Sequence, residues 1–126
     1  MSEPTATFTH VSTVAIPVTD QARSIAFFQQ LGFELRFDAE IQPGFRWVEL
    51  VPPGATTTVA IVRAGDALPA GVDTGIRLVT TDAKGARDAV AAAGAEVGEL
   101  LDWPGVPLMF SFTDADGNRL YVTQDH

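Results

Sequence analysis

Hydrophobic and polar positions alternate over Val11 to Val18, where Val14, Ile16 and Val18 interleave with Thr13, Ala15 and Pro17. A period of two predicts a half-buried strand. Pro17 has no amide hydrogen to give to a ladder, which suits an edge or an irregular strand end. The period then changes. Asp20 is placed to cap a helix carrying Ala22, Ile25, Phe28 and Leu31 at three-residue spacing, and Gly32 can supply a left-handed stop. Three extended runs follow, Phe33 to Asp38, Phe45 to Val51 and Thr56 to Arg63, divided by segments containing Pro43-Gly44 and Pro52-Pro53-Gly54. The predicted order is βαβββ.

Beyond a linker rich in Gly, Ala and Pro, Ala64 to Gly71, the same order returns. A strand over Val72 to Thr80 leads to a cap at Asp82, a helix to Ala93 and a stop at Gly94, then to runs over Ala95 to Leu101, Val106 to Thr113 and Asn118 to Gln124. Asp20 and Asp82 are 62 positions apart, as are Gly32 and Gly94, Thr19 and Thr81, and Glu34 and Glu96. One βαβββ unit cannot bury its sheet face alone, so two copies are expected to share one core. The expectation is a single α+β domain over residues 1–126, with module one at about 8–63, the linker at 64–71 and module two at about 72–126. The second helix is mostly alanine, with high propensity but little volume, which predicts close approach to its sheet. Gly85 near its start costs about 1 kcal/mol relative to alanine.

Composition narrows the function classes. Hydrophobic residues are 46% and charged residues 19% of 126, an ordinary globular balance. No apolar run reaches the length of a membrane span, and Met1 to Thr9 has neither the basic start nor the apolar stretch of a secretory signal. A cytoplasmic protein with no membrane partner is expected. With no cysteine, thiolate catalysis, disulfides and cysteine-ligated metal centres are excluded. A net charge of -8 repels phosphate backbones, so nucleic acid is not expected as a partner. The same charge suits a cationic ligand, or serves only to keep the protein in solution.

Two motifs then carry a resemblance. The stretch Val18-Thr19-Asp20, Arg23-Ser24-Ile25-Ala26-Phe27-Phe28 and Leu31-Gly32-Phe33 is similar to the strand, aspartate, S-x-x-F-Y and L-G-F of the vicinal oxygen chelate superfamily, with Phe28 in place of tyrosine. That superfamily includes glyoxalases, bleomycin-binding resistance proteins and extradiol dioxygenases. Asp114-Ala115-Asp116-Gly117-Asn118 resembles the family's D-P-D-G-N turn, with Ala115 in place of proline. The resemblance spans nearly the whole chain. It implies two βαβββ modules forming a curved, eight-stranded mixed sheet around a cleft, with helices outside, and a homodimer.

The resemblance also implies a divalent metal in the cleft. By alignment on Asp20, the first-strand ligand position falls at Thr13 and its second-module counterpart at Gly75 or Ile76; the carboxylate before Pro52-Pro53-Gly54 is Glu49, and the last-strand position, two residues beyond Arg119, is Tyr121. Only Glu49 is a strong ligand, whereas a catalytic ion needs about three. His10 falls on the opposite strand face from Thr13, and His126 is terminal. No metal and no other cofactor is therefore expected. Asp114 to Gly117 also has part of a calcium loop but lacks the remaining acidic positions and the distal glutamate, so a hairpin turn with Gly117 at positive φ is expected.

Strand parity separates a covered face (Val14, Ile16, Val48, Leu50, Ile76, Leu78, Leu120, Val122) from a cleft face. The latter comprises Thr13, Ala15, Phe45, Trp47, Glu49, Arg77, Arg119 and Tyr121, a mixture of aromatic surface and charge that suits a ligand pocket. Phe45 and Trp47 serve ligand stacking, or fill space between modules or at a dimer interface. Glu49 is either an ion-pair partner of Arg77 or Arg119 or a general base, and Tyr121 donates to a ligand or to a backbone carbonyl. Trp103, before Pro104-Gly105, sits on a loop able to close over the cleft. The leading expectation is metal-independent binding, in the manner of a drug- or metabolite-sequestering protein, with Thr13, Phe45, Trp47, Arg77, Trp103, Arg119 and Tyr121 as ligand contacts. The alternative is an isomerase or lyase of the same superfamily with Glu49 as catalytic base, and after it a metal-dependent glyoxalase or dioxygenase.

Overall fold

In the computed structural model, residues 6–125 are described; Met1 to Thr5 and His126 lie outside the described residues. The elements run β1 (Thr13–Val18), α1 (Gln21–Gln30), β2 (Glu34–Gln42), β3 (Phe45–Val51), β4 (Thr58–Arg63), β5 (Asp73–Thr80), α2 (Ala83–Ala92), β6 (Glu96–Val97), β7 (Met109–Thr113) and β8 (Arg119–Gln124). This is βαβββ twice. Each module forms a four-stranded mixed sheet, ordered β1-β4-β3-β2 and β5-β8-β7-β6. In each, the first strand pairs parallel with the fourth while the other pairings are antiparallel.

The helix boundaries follow from local chemistry. The Asp20 carboxylate accepts from the Arg23 amide and the Asp82 carboxylate from the Gly85 amide, each satisfying a donor that the first helical turn leaves unpaired. Gly32 and Gly94 follow the helices at φ of +93° and +100°. Gly85 is explained by its neighbour: a Cβ there would collide with the Asp82 carboxylate.

Three extended runs differ from expectation. Of Ala95 to Leu101, only Glu96 and Val97 join the sheet, with an isolated bridge from Leu101 to Met109. Gly98 packs so closely on Ser111 that a Cβ would sit 3.0 Å from its hydroxyl, and the chain then leaves the sheet. Strand β7 begins at Met109 rather than Val106, past Pro107, which has no amide hydrogen for a ladder. Strand β2 runs on to Gln42, with bulges between Leu35 and Phe37 and between Glu40 and Gln42.

One face of each sheet enters a single core. Ile16, Val48, Leu50 and Ile61 from the first sheet, and Phe110, Phe112, Leu120 and Val122 from the second, join Ile25 and Phe28 of α1 and Val90 of α2. Val14, Ile76 and Leu78, assigned to the same face, are partly buried. Complete burial of such a side chain stabilises by about 1.5–3 kcal/mol. The helix-covered sides of the two modules meet here: the Phe27 ring lies 6.0 Å from that of Phe112.

Polar contacts fasten the modules at the Asp114 to Asn118 turn, where Gly117 takes φ +83°. Fully buried Asn118 accepts from the amides of Gly71 (2.9 Å) and Val72 (3.1 Å) and donates to the Pro17 carbonyl (2.7 Å) and the Asp114 carboxylate (3.2 Å). Asp116 accepts from the Thr19 amide and hydroxyl and pairs with Arg23 at 3.2 Å. Burial raises the Asp116 carboxyl pKa, but the Thr19 and Arg23 donors outweigh that and hold it below the usual carboxylate value.

Candidate ligand-binding faces

Each sheet turns its second face away from the shared core. On module one, strand register lines up Ala15, Ala60, Glu49 and Phe37 across β1, β4, β3 and β2. Trp47 and Phe45 follow on β3 at two-residue steps, which keeps them on the face of Glu49. Their rings are parallel, with 3° between planes and centroids 6.3 Å apart, and Phe45 is half exposed. The Trp47 indole N–H donates to Glu49 Oε2 at 2.7 Å, and the Thr58 hydroxyl donates to Oε1 at 2.7 Å. Glu49 therefore makes no ion pair with Arg77 or Arg119. The ion pairs among the described residues are Arg23 with Asp116 and Arg46 with Asp38. The sheet packing accounts for this correction: Arg77 and Arg119 belong to the other sheet, which meets the first through its opposite face. Thr13 sits on edge strand β1 with its hydroxyl donating to the Thr58 carbonyl at 3.3 Å.

On module two, β5 carries an irregularity between Asp73 and Arg77, with Gly75 at φ +69°, a conformation that favours glycine. The bend gathers three side chains. Tyr121 donates its hydroxyl to Asp73 Oδ2 at 2.6 Å, so its partner is a carboxylate rather than the backbone carbonyl considered above. The Arg77 guanidinium lies 4.5 Å over the Tyr121 ring and donates to the Gly75 carbonyl at 3.0 Å. The Tyr121 hydroxyl, then the Gly75 amide, with Arg119 and Arg77 nearby, hold the Asp73 carboxyl below its usual range. Beside this group is an open cavity of about 420 Å3, lined by Arg77, Tyr121, Ser111, Glu99, Leu101 and Met109 among others, all from module two. Trp103 is 58% exposed and Arg119 is exposed; neither lines that cavity, nor do Thr13, Phe45, Trp47 and Glu49. The candidate residues thus fall into two groups on two faces.

The donors do not suit a divalent ion. Thr13, Gly75 and Tyr121 stand at three of the family's positions, both Glu49 oxygens accept from neighbours, and no three His, Asp or Glu side chains converge among the described residues. Thr58 and Asp73 were missed as partners. Trp47 and Glu49 share a strand face by their two-residue spacing, and a half-buried indole N–H needs an acceptor, so that pair had a signal. Asp73 had none, because a bulge alters which residues share a face.

Two βαβββ modules in one chain, each a four-stranded mixed sheet with one face in a common core, define the fold class. This chain belongs to the Glyoxalase/Bleomycin resistance protein/Dioxygenase superfamily, whose family model matches residues 8–122. Among solved structures it is similar to TnmS3, an antibiotic binding protein from Streptomyces sp. CB03234, at 26% identity and TM-score 0.83 over 97% of this chain and 100% of that one. A superfamily member from Sphaerobacter thermophilus DSM 20745 is 32% identical, with TM-score 0.84 over 95% and 100% of the two chains. The fold alone is shared with FosX, a genomically encoded fosfomycin resistance protein from Listeria monocytogenes, at 15% identity and TM-score 0.75 over 94% and 95%. No curated protein matches the chain in sequence.

Proposed function

We propose that this protein binds and sequesters a small molecule, a drug or a metabolite, without a metal and without transforming it, as a cytoplasmic homodimer. The observation that carries this reading is the state of the polar groups on the two faces. Parallel Phe45 and Trp47 offer aromatic area, while the groups best suited to proton transfer, Glu49 and Tyr121, are already engaged with neighbouring side chains. The likeness to an antibiotic-binding protein over the whole chain supports it. A cationic ligand fits module one, since no basic side chain neutralises Glu49. Phe37, Ile41, Phe45 and Val79, all exposed, supply apolar area for a second copy, which would bring the module-one face of one chain against the module-two face of the other.

A thermal-shift panel of cationic drugs, carboxylates and divalent ions tests the reading. A true ligand at a hundred times its dissociation constant stabilises by about 2.7 kcal/mol, a shift of several degrees. The expected hits are organic compounds recovered unchanged after incubation. Stabilisation by a divalent ion together with conversion of a hit would move the assignment to an enzyme.

A further inference from the structure

Glu49 occupies a position that invites a catalytic or metal-binding reading, yet its contacts describe a different task. Each carboxylate oxygen takes one strong hydrogen bond, from the Trp47 indole N–H and from the Thr58 hydroxyl, both at 2.7 Å. Thr58 is buried on the neighbouring strand β4, so the carboxylate is anchored from the side and in turn anchors the indole. In the same row, Ala60 and Ala15 on one side of Glu49 present only methyl groups and Phe37 lies on the other side, so the polar contacts made to the indole N–H come from Glu49. A tryptophan on an open strand face would otherwise sample several rotamers, and ordering it on binding costs about 0.5–1.5 kcal/mol. Here it is already parallel to Phe45 within 3°.

We propose that Glu49 is a positioning residue that holds the Trp47 indole as a preformed stacking plate with Phe45. It follows that this face selects planar, conjugated ring systems that are neutral or cationic, and that the carboxylate charge disfavours anionic ones. The inference rests on the small-molecule-binding reading and deepens it. Ligand and bracket are tested separately.

The bracket is read without ligand, from the indole N–H resonances of the 15N-labelled full chain, with Trp103→Phe assigning the Trp47 signal. Glu49→Ala is expected to shift that signal and raise its solvent exchange about tenfold, the loss of one charge-assisted hydrogen bond. Glu49→Gln, whose amide can still accept from the indole and donate to Thr58, restores it. The isosteric Thr58→Val, which keeps the fold should Glu49→Ala not, gives an intermediate loss. An unchanged Trp47 signal in both Glu49→Ala and Thr58→Val overturns the bracket.

Ligand choice is read with one ring system in three charge states: 9-aminoacridine, acridone and acridine-9-carboxylate. The wild type is expected to bind the first two at least tenfold more tightly than the third. Glu49→Ala weakens acridone about tenfold, while Glu49→Gln keeps acridone but loses the preference against the carboxylate. A Glu49→Gln variant that loses acridone as fully as Glu49→Ala overturns the positioning role. If nonplanar hits from the thermal-shift panel bind Trp47→Leu as well as wild type and no acridine binds, sequestration stands and the stacking plate falls.

Discussion

At the scale of single residues, Asn118 has the heaviest task. Its fully buried side chain makes four hydrogen bonds, and two of their partners are backbone amides at the end of the inter-module linker. Replacing it with alanine strands those amides and the Pro17 carbonyl, and each buried unsatisfied group costs about 1–3 kcal/mol. Asn118→Ala is therefore expected to lose at least about 3 kcal/mol in urea unfolding, or to fail to fold. Asp116 next to it makes the same junction sensitive to acid. Its carboxyl titrates lower in the folded chain than in the unfolded one, so its contribution is complete above the unfolded value of about 3.9 and is lost as pH falls through the lower folded value. Asp116→Ala should melt several degrees below wild type at pH 7, and the gap should narrow toward pH 3. A gap independent of pH would mean that packing, not charge, accounts for the loss.

At the scale of elements, the two helices show how a local rule can invert. Glycine near a helix start is ordinarily a weakness, and alanine in its place gains about 1 kcal/mol. In α2 the Asp82 cap leans over Gly85, and the added methyl group would displace it. Gly85→Ala is expected to destabilise by about 1 kcal/mol, the worth of the cap. In an Asp82→Ala background the same change should stabilise. Denaturation of the four proteins in that cycle gives the answer, and equal effects in both backgrounds would exclude the clash. Much of this level was legible in the chain itself. Asp20 and Asp82 act as caps and Gly32 and Gly94 as stops, because these positions depend on neighbours three or four residues away. The short β6 was not legible, since it depends on how closely Gly98 lies against Ser111, thirteen positions further on. For the candidate site, parity separates Trp47, Glu49, Arg77 and Tyr121, as a cleft face, from the covered side, but it says nothing of what meets across space. The Thr58 anchor and the Asp73 acceptor follow from sheet register and a bulge.

At the scale of the whole molecule, the repeat sets the number of modules and the side each sheet buries. It does not say what those sides are buried against. In this chain they share one core with the two helices, and the opposite face of each sheet looks away from that core. Two outward faces of different chemistry, one aromatic with an acid, one with Arg77 over Tyr121, are thus carried by one polypeptide. Sedimentation equilibrium at micromolar concentration is expected to give a dimer. Phe37→Glu, which sets a charge on the exposed module-one face, should shift it to monomer and weaken ligand binding with it. A monomeric wild type that binds ligand at full strength would restrict the site to one face.

Pro17 and Asn118 are 101 positions apart, and their hydrogen bond joins β1 to the turn that leads into β8. A growing chain leaving the ribosome at about 5–20 residues per second carries its first module for several seconds before Asn118 is made. Through that interval the core face of β1 to β4 has no second sheet to cover it. The Asn118 fastening can therefore close only after both helices and seven of the eight strands have been made, so a first module without module two lacks the clamp on its Pro17 carbonyl as well as the second sheet.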